Sequence, residues 1–196
     1  LDVIPEWNKT SGIEAIRPGQ LIEMEGIQFA TGGVVANTGL SLKKLGVNTR
    51  LIGKIGEDEI GKLTLGILKE YDENIMDNMI ISPEETSAYT VVLNPPQTDR
   101  IFLHYPGPND TFCAEDIELE KIKDVEIFHF GYPPLMKGMY ENEGGEIVKI
   151  LKKVKSENPV ISLDMSMPDP DSEAGRVDWN KILENILPYV DIFLPS

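Results

Sequence analysis

Cysteine is nearly absent from this chain: Cys113 is the only one in 196 residues, which excludes an internal disulfide and fits a reducing compartment. Histidine is almost as scarce, and neither His104 nor His129 sits in a short-range cluster of ligands, so no metal site of recognised spacing is expected. No long apolar run occurs, which argues against a membrane-spanning helix, and Leu1-Asp2-Val3-Ile4-Pro5-Glu6-Trp7 lacks the basic start and apolar middle of a signal peptide. A cytoplasmic location is the expectation. Positive charge is short as well. Lys and Arg number 18 against 33 Asp and Glu, the net charge is -15, and the basic residues are scattered, so a nucleic-acid backbone would be repelled. With 41% hydrophobic residues the chain is long enough to bury one substantial core. It begins without Met and stops on the apolar run Phe193-Leu194-Pro195, which reads as a segment of something longer.

What is present is glycine in an ordered pattern. Gly32-Gly33-Val34-Val35-Ala36-Asn37 precedes an amphipathic stretch, Leu45-Gly46 follows, and then comes Gly53-Lys54-Ile55-Gly56-Glu57-Asp58-Glu59-Ile60-Gly61. Paired glycines let a ligand approach bare backbone, and the helix that follows turns free N–H groups toward it. Asn37, one turn in, can donate to and accept from a hydroxyl. Gly56 to Lys62 also has the spacing of a Walker A loop. That reading fails, because three carboxylates would face the phosphate and Leu63 stands where a Mg²⁺-binding Ser or Thr is required. A strand-to-helix turn capped by Asp58 is expected instead. No Gly-x-Gly-x-x-Gly follows a strand, so a dinucleotide fold is unsupported.

Along the chain, Gln20–Met24, Arg50–Ile55, Met79–Ser82, Ala88–Leu93, Ile101–Tyr105, Val125–Phe130, Val160–Leu163 and Val190–Leu194 read as strands. Helical spacing appears after the diglycine, after Asp58 and over Asp178–Leu187, and Gly144-Gly145 should break any helix between 135 and 155. Beyond Gly107 the alternation of strand and helix predicts a parallel sheet flanked by helices. The segments 13–30 and 87–105 stand outside it.

The glycine pattern resembles the N-terminal signature of the PfkB/ribokinase family of carbohydrate kinases, with some ten positions agreeing in order over about thirty residues. The resemblance implies an α/β fold: a ribokinase-like three-layer α/β/α core with a mostly parallel sheet, here 1–12, 31–86 and 106–196 and incomplete at its C-terminal side, plus a small β lid of 13–30 and 87–105. It implies an ATP-dependent kinase that transfers the γ-phosphoryl of MgATP to a sugar hydroxyl, with ATP and Mg²⁺ as cofactors and a homodimer formed through the lid. By the same register Asp2 would accept hydrogen bonds from sugar hydroxyls, Gly32, Gly33 and Asn37 would form the pocket, and Tyr89 and His104 would point down from the lid. The family's catalytic Gly-Ala-Gly-Asp does not occur in this sequence, so the catalytic residues are unknown and expected further along, and the segment alone should be inactive. A nucleoside kinase of the same superfamily and a catalytically degenerate sugar-binding sensor are the alternatives.

Overall fold

A computed structural model describes residues 1–7 and 12–195. Nine strands and six α-helices follow one another among the described residues: β1 (Asp2–Glu6), β2 (Gly26–Ala30), α1 (Gly33–Lys44), β3 (Gly53–Gly56), α2 (Glu59–Lys69), β4 (Met79–Ser82), β5 (Tyr89–Leu93), β6 (Ile101–Tyr105), α3 (Leu119–Ile122), β7 (Ile127–Gly131), α4 (Lys137–Tyr140), α5 (Gly145–Lys155), β8 (Val160–Met165), α6 (Trp179–Ile186) and β9 (Ile192–Pro195). They form three sheets. Strands β7, β8 and β9 are parallel, as are β3 and β4, and a separate four-stranded sheet runs β2-β1-β5-β6.

The parallel unit carries the main core. Along α5, Ile147, Ile150, Leu151 and Val154 recur at helical spacing and are fully buried against Ile161 and Leu163 of β8, Phe130 of β7, and Ile182 and Ile186 of α6. The stripe is apolar because burying each such side chain is worth about 1.5–3 kcal/mol. Gly144 does break the helix: Asn142, Glu143 and Gly144 all have positive φ, and α5 begins only at Gly145. A smaller cluster of Ala36, Leu40, Leu51 and Leu68 joins α1 to α2.

The four-stranded sheet departs from the sequence reading in two places. Residues 1–12 had been assigned to the α/β body, but β1 lies inside this sheet, antiparallel to β2 from Asp2↔Ala30 to Glu6↔Gly26 and parallel to β5 at Asp2↔Thr90 and Val3↔Val91. Pro5, which has no N–H to donate, falls where the β5 ladder has already ended. The strand expected at Gln20–Met24 instead occupies Gly26–Ala30, because β1 ends at Glu6 opposite Gly26 and leaves residues 20–25 beyond the ladder. The hairpin of β5 and β6 forms as read, from Tyr89↔Tyr105 to Leu93↔Ile101.

Candidate functional site

Register decides which side chains share a face, since residues directly opposite one another point the same way. Ala30, Asp2, Thr90 and His104 form one continuous row across β2, β1, β5 and β6. Phe29, Val3, Val91 and Leu103 form the adjacent row, on the opposite face. The first row faces the start of α1: only Thr31 and Gly32 separate β2 from the helix, and the Asp2 side chain lies against Gly32.

Asp2 lies directly over that turn. A Cβ built on Gly32 would stand 2.5 Å and 2.6 Å from the two Asp2 carboxylate oxygens. Gly32 is therefore glycine for space and not for backbone, its φ of -117° being ordinary extended geometry. Gly33 is the reverse: its φ is +77° and a Cβ would meet nothing within 4 Å. Gly32 caps α1 without any side-chain hydrogen bond, so the first N–H groups of a 12-residue helix stay available next to Asp2. The Asp2 carboxylate accepts no hydrogen bond from the described residues, and the exposed side chain of Asn37, one turn into α1, is similarly uncommitted. Open backbone, a free carboxylate and a free carboxamide suit a polyhydroxylated ligand.

The sheet adds Thr90 and His104, whose Oγ1 and Nδ1 share a hydrogen bond of 2.9 Å with its direction set by the imidazole tautomer. Burial above all lowers the His104 pKa, the ammonium of Leu1 adds to the shift, and the Asp110 and Asp2 carboxylates oppose it. Tyr89 does not join them. It sits on the opposite face with its ring 5.8 Å from that of Tyr105, so the register replaces it with its neighbour Thr90. Arg100 is engaged as well, its guanidinium 5.4 Å from the Phe102 ring.

The ends of the parallel strands close the other side. A Cβ on Gly131, the last residue of β7, would lie 2.5 Å from Val34 in the first turn of α1. Tyr132 follows with φ of 58°, a left-handed position rare for a bulky residue, and its N–H donates to Asp164 O of β8 at 2.9 Å. Asp2, Gly32, Gly33, Thr90, His104, Gly131 and Asp164 thus come from segments far apart in sequence. The strands read as Val125–Phe130 and Val160–Leu163 lead directly into Gly131 and Asp164; nothing local announces that Asp2 and Gly32 lie against one another.

Both the sequence and the fold have known relatives. The model of the pfkB family carbohydrate kinase aligns with residues 6–196. The chain belongs to the pfkB family of carbohydrate kinases. An uncharacterized sugar kinase of Archaeoglobus fulgidus is 27% identical to this pfkB-family chain over 157 residues, 80% of this chain and 57% of that protein. The probable fructokinase-6, chloroplastic, of Arabidopsis thaliana is 32% identical over 133 residues, 67% of this chain and 32% of that protein. Among solved structures, the Arabidopsis thaliana ribokinase complexed with ribose and ATP superposes with a TM-score of 0.70 at 21% identity, covering 99% of this chain and 56% of that one. A fructokinase from Xylella fastidiosa gives 0.71 at 16% identity, covering 98% and 57%. The fold is therefore ribokinase-like. The chain spans between a third and three-fifths of the length of these relatives.

Proposed function

We propose that the protein to which this chain belongs is an ATP-dependent carbohydrate kinase that transfers the γ-phosphoryl of MgATP to a sugar hydroxyl, and that these residues supply its sugar-binding part. The observation that carries the reading is the Asp2 carboxylate held over Gly32 at the uncapped start of α1, beside open space at Gly33. In this reading Asp2 accepts hydrogen bonds from sugar hydroxyls, Asn37 pairs with another hydroxyl from α1, and the α1 backbone admits the ring where a side chain would obstruct it. The four-stranded sheet acts as a lid, bringing Thr90 and His104 over the sugar and excluding water as it closes. The lid segments carry only Arg17 and Arg100 as basic residues, which favours a neutral sugar over a phosphorylated one.

The residues present fit a hydroxylated substrate and not a nucleotide. Asp164 is the penultimate residue of β8 at the right edge, but Met165-Ser166-Met167-Pro168 follows it, and no Gly-Ala-Gly-Asp occurs to supply a general base and a phosphate-binding helix start. No step of phosphoryl transfer is assigned to this chain's own groups.

The opposite face of the lid supports a homodimer. Ile27, Phe29, Leu103 and Tyr105 there are 53%, 44%, 54% and 41% exposed, an apolar surface that a second copy would cover. The test is ADP release by the purified full-length protein, with MgATP and a panel of neutral sugars and nucleosides, alongside light scattering for its mass. Sugar-dependent ADP release by a dimer supports the reading. Turnover of nucleosides alone would make it a nucleoside kinase, and tight sugar binding without turnover a sensor.

A further inference from the structure

The motif Gly56-x-Asp58-x-x-Gly61 does more than start a helix. Asp58 caps α2 with one oxygen, Oδ1 accepting from Gly61 N–H at 2.7 Å. Its other oxygen, Oδ2, accepts from Ser87 N–H, also at 2.7 Å and 29 residues away. Ser87 is 1% exposed, and its hydroxyl accepts from Gly56 N–H at 2.9 Å and lies 3.3 Å from Gly56 O. Both motif glycines make room for this segment. A Cβ on Gly56 would collide with Glu85 O and stand 2.8 Å from Ser87 N, and one on Gly61 would collide with Gly56 O and stand 2.8 Å from Ser87 Oγ. A cap alone would need one oxygen and neither glycine.

Ser87 is the root of the lid. Ala88 leads straight into β5, and Leu1 O at the head of β1 accepts from Thr90 N–H at 2.8 Å. The chain returning from β6 passes the same point: a Cβ on Gly107 would lie 2.5 Å from Thr86 O and 2.8 Å from Ala88 N. Lys54 of β3 ties both sides, its Nζ donating to Thr111 O at 3.3 Å and pairing with Glu85 at 3.5 Å, while Thr111 Oγ1 donates to Glu85 Oε1 at 2.5 Å.

We propose that Asp58 is a positioning residue of the lid hinge, its Oδ2 pinning Ser87 to the turn between β3 and α2 so that Thr90 and His104, in one row with Asp2, are held over Gly32 and the start of α1. The inference rests on the reading of the four-stranded sheet as a sugar-covering lid. It also accounts for why a carboxylate, with two acceptor oxygens, stands where Ser, Thr or Asn would serve as a cap.

The test uses the full-length protein and three variants. Asp58→Ser keeps a cap oxygen for Gly61 but cannot also reach Ser87; Asp58→Ala loses both bonds; Asp178→Ala removes the corresponding cap of α6, where Asp178 Oδ1 accepts from Asn180 and Lys181 N–H far from the lid. Well below the melting temperature, both Asp58 variants should raise the sugar KM on the order of tenfold with the ATP KM unchanged, and both should speed amide exchange across residues 88–105 relative to β7 and β8. Asp178→Ala should lower the melting temperature and leave sugar KM and lid exchange alone. The proposal is overturned if Asp58→Ser matches the unmodified protein in exchange at 88–105, or if it behaves as Asp178→Ala does. Should no sugar be turned over at all, the kinase reading fails while the exchange comparison still decides the hinge.

Discussion

Replacing Gly32 with alanine should damage sugar use while sparing the fold, and the structure gives the size of the effect. The backbone at Gly32, φ -117° and ψ -179°, suits alanine without strain. The new methyl would instead stand 2.5 Å and 2.6 Å from the Asp2 oxygens. Comfortable non-bonded separation is about 3.5 Å, so the carboxylate must retreat by about 1 Å, which a side-chain rotation of modest cost, about 0.5–1.5 kcal/mol, can provide. What is lost is aim. A hydrogen bond to a charged group contributes about 1.5–3 kcal/mol, so kcat/KM for the sugar should fall on the order of ten- to hundredfold while the ATP KM holds. Steady-state ADP release with each substrate varied, beside a thermal melt, measures both. A Gly32→Ala protein with an unaltered sugar kcat/KM, or one whose loss is matched by a collapsed melting temperature, would refute the reasoning.

Gly33→Val should lower both stability and activity, because φ of +77° costs a branched residue roughly 1–3 kcal/mol and the side chain enters space left for the sugar; a melt and a sugar titration check it. Asn37→Ala should raise the sugar KM severalfold, by about 0.5–1.5 kcal/mol, with no change in melting temperature since the side chain is exposed and unbonded. Tyr89→Ala should leave the sugar KM alone and weaken self-association, as light scattering would report, because its ring packs with Tyr105 on the outer face. Burial lowers the His104 pKa below its ordinary value near 6.5, so the unfolded chain binds the proton first and stability should decline as pH falls through about 6.5; His104→Gln should flatten that part of the pH–stability curve.

The parallel strands were readable because alternation of strand and helix is regular there, and Gly144-Gly145 was readable as a helix break because glycine tolerates the positive φ found at 144; the buried stripe Ile147, Ile150, Leu151 and Val154 that follows it came from the structure. The diglycine and Asn37 were readable because their chemistry is local to one turn. The first strand was not. Asp2–Glu6 has no pattern separating a core strand from a lid strand, and its place was settled by long-range pairing with Gly26–Ala30 and Thr90. Likewise Tyr89 stood as the β5 candidate until register put it on the face opposite His104 and its neighbour Thr90 on the same one, since a shift of one residue exchanges the faces of a strand. Ser87 carried no signal at all; its part emerges only because a segment 29 residues away folds onto Asp58 and Gly56.

The central claim, that these residues bind the sugar of a kinase, is tested most directly by Asp2→Ala in the full-length protein, titrated with whichever sugar gives the strongest ADP release. The account predicts a sugar KM raised at least tenfold with the ATP KM within twofold of the unmodified protein, since Asp2 stands over Gly32 at the start of α1, where the sugar is read to bind. An unchanged sugar KM, or a defect confined to ATP, would contradict it.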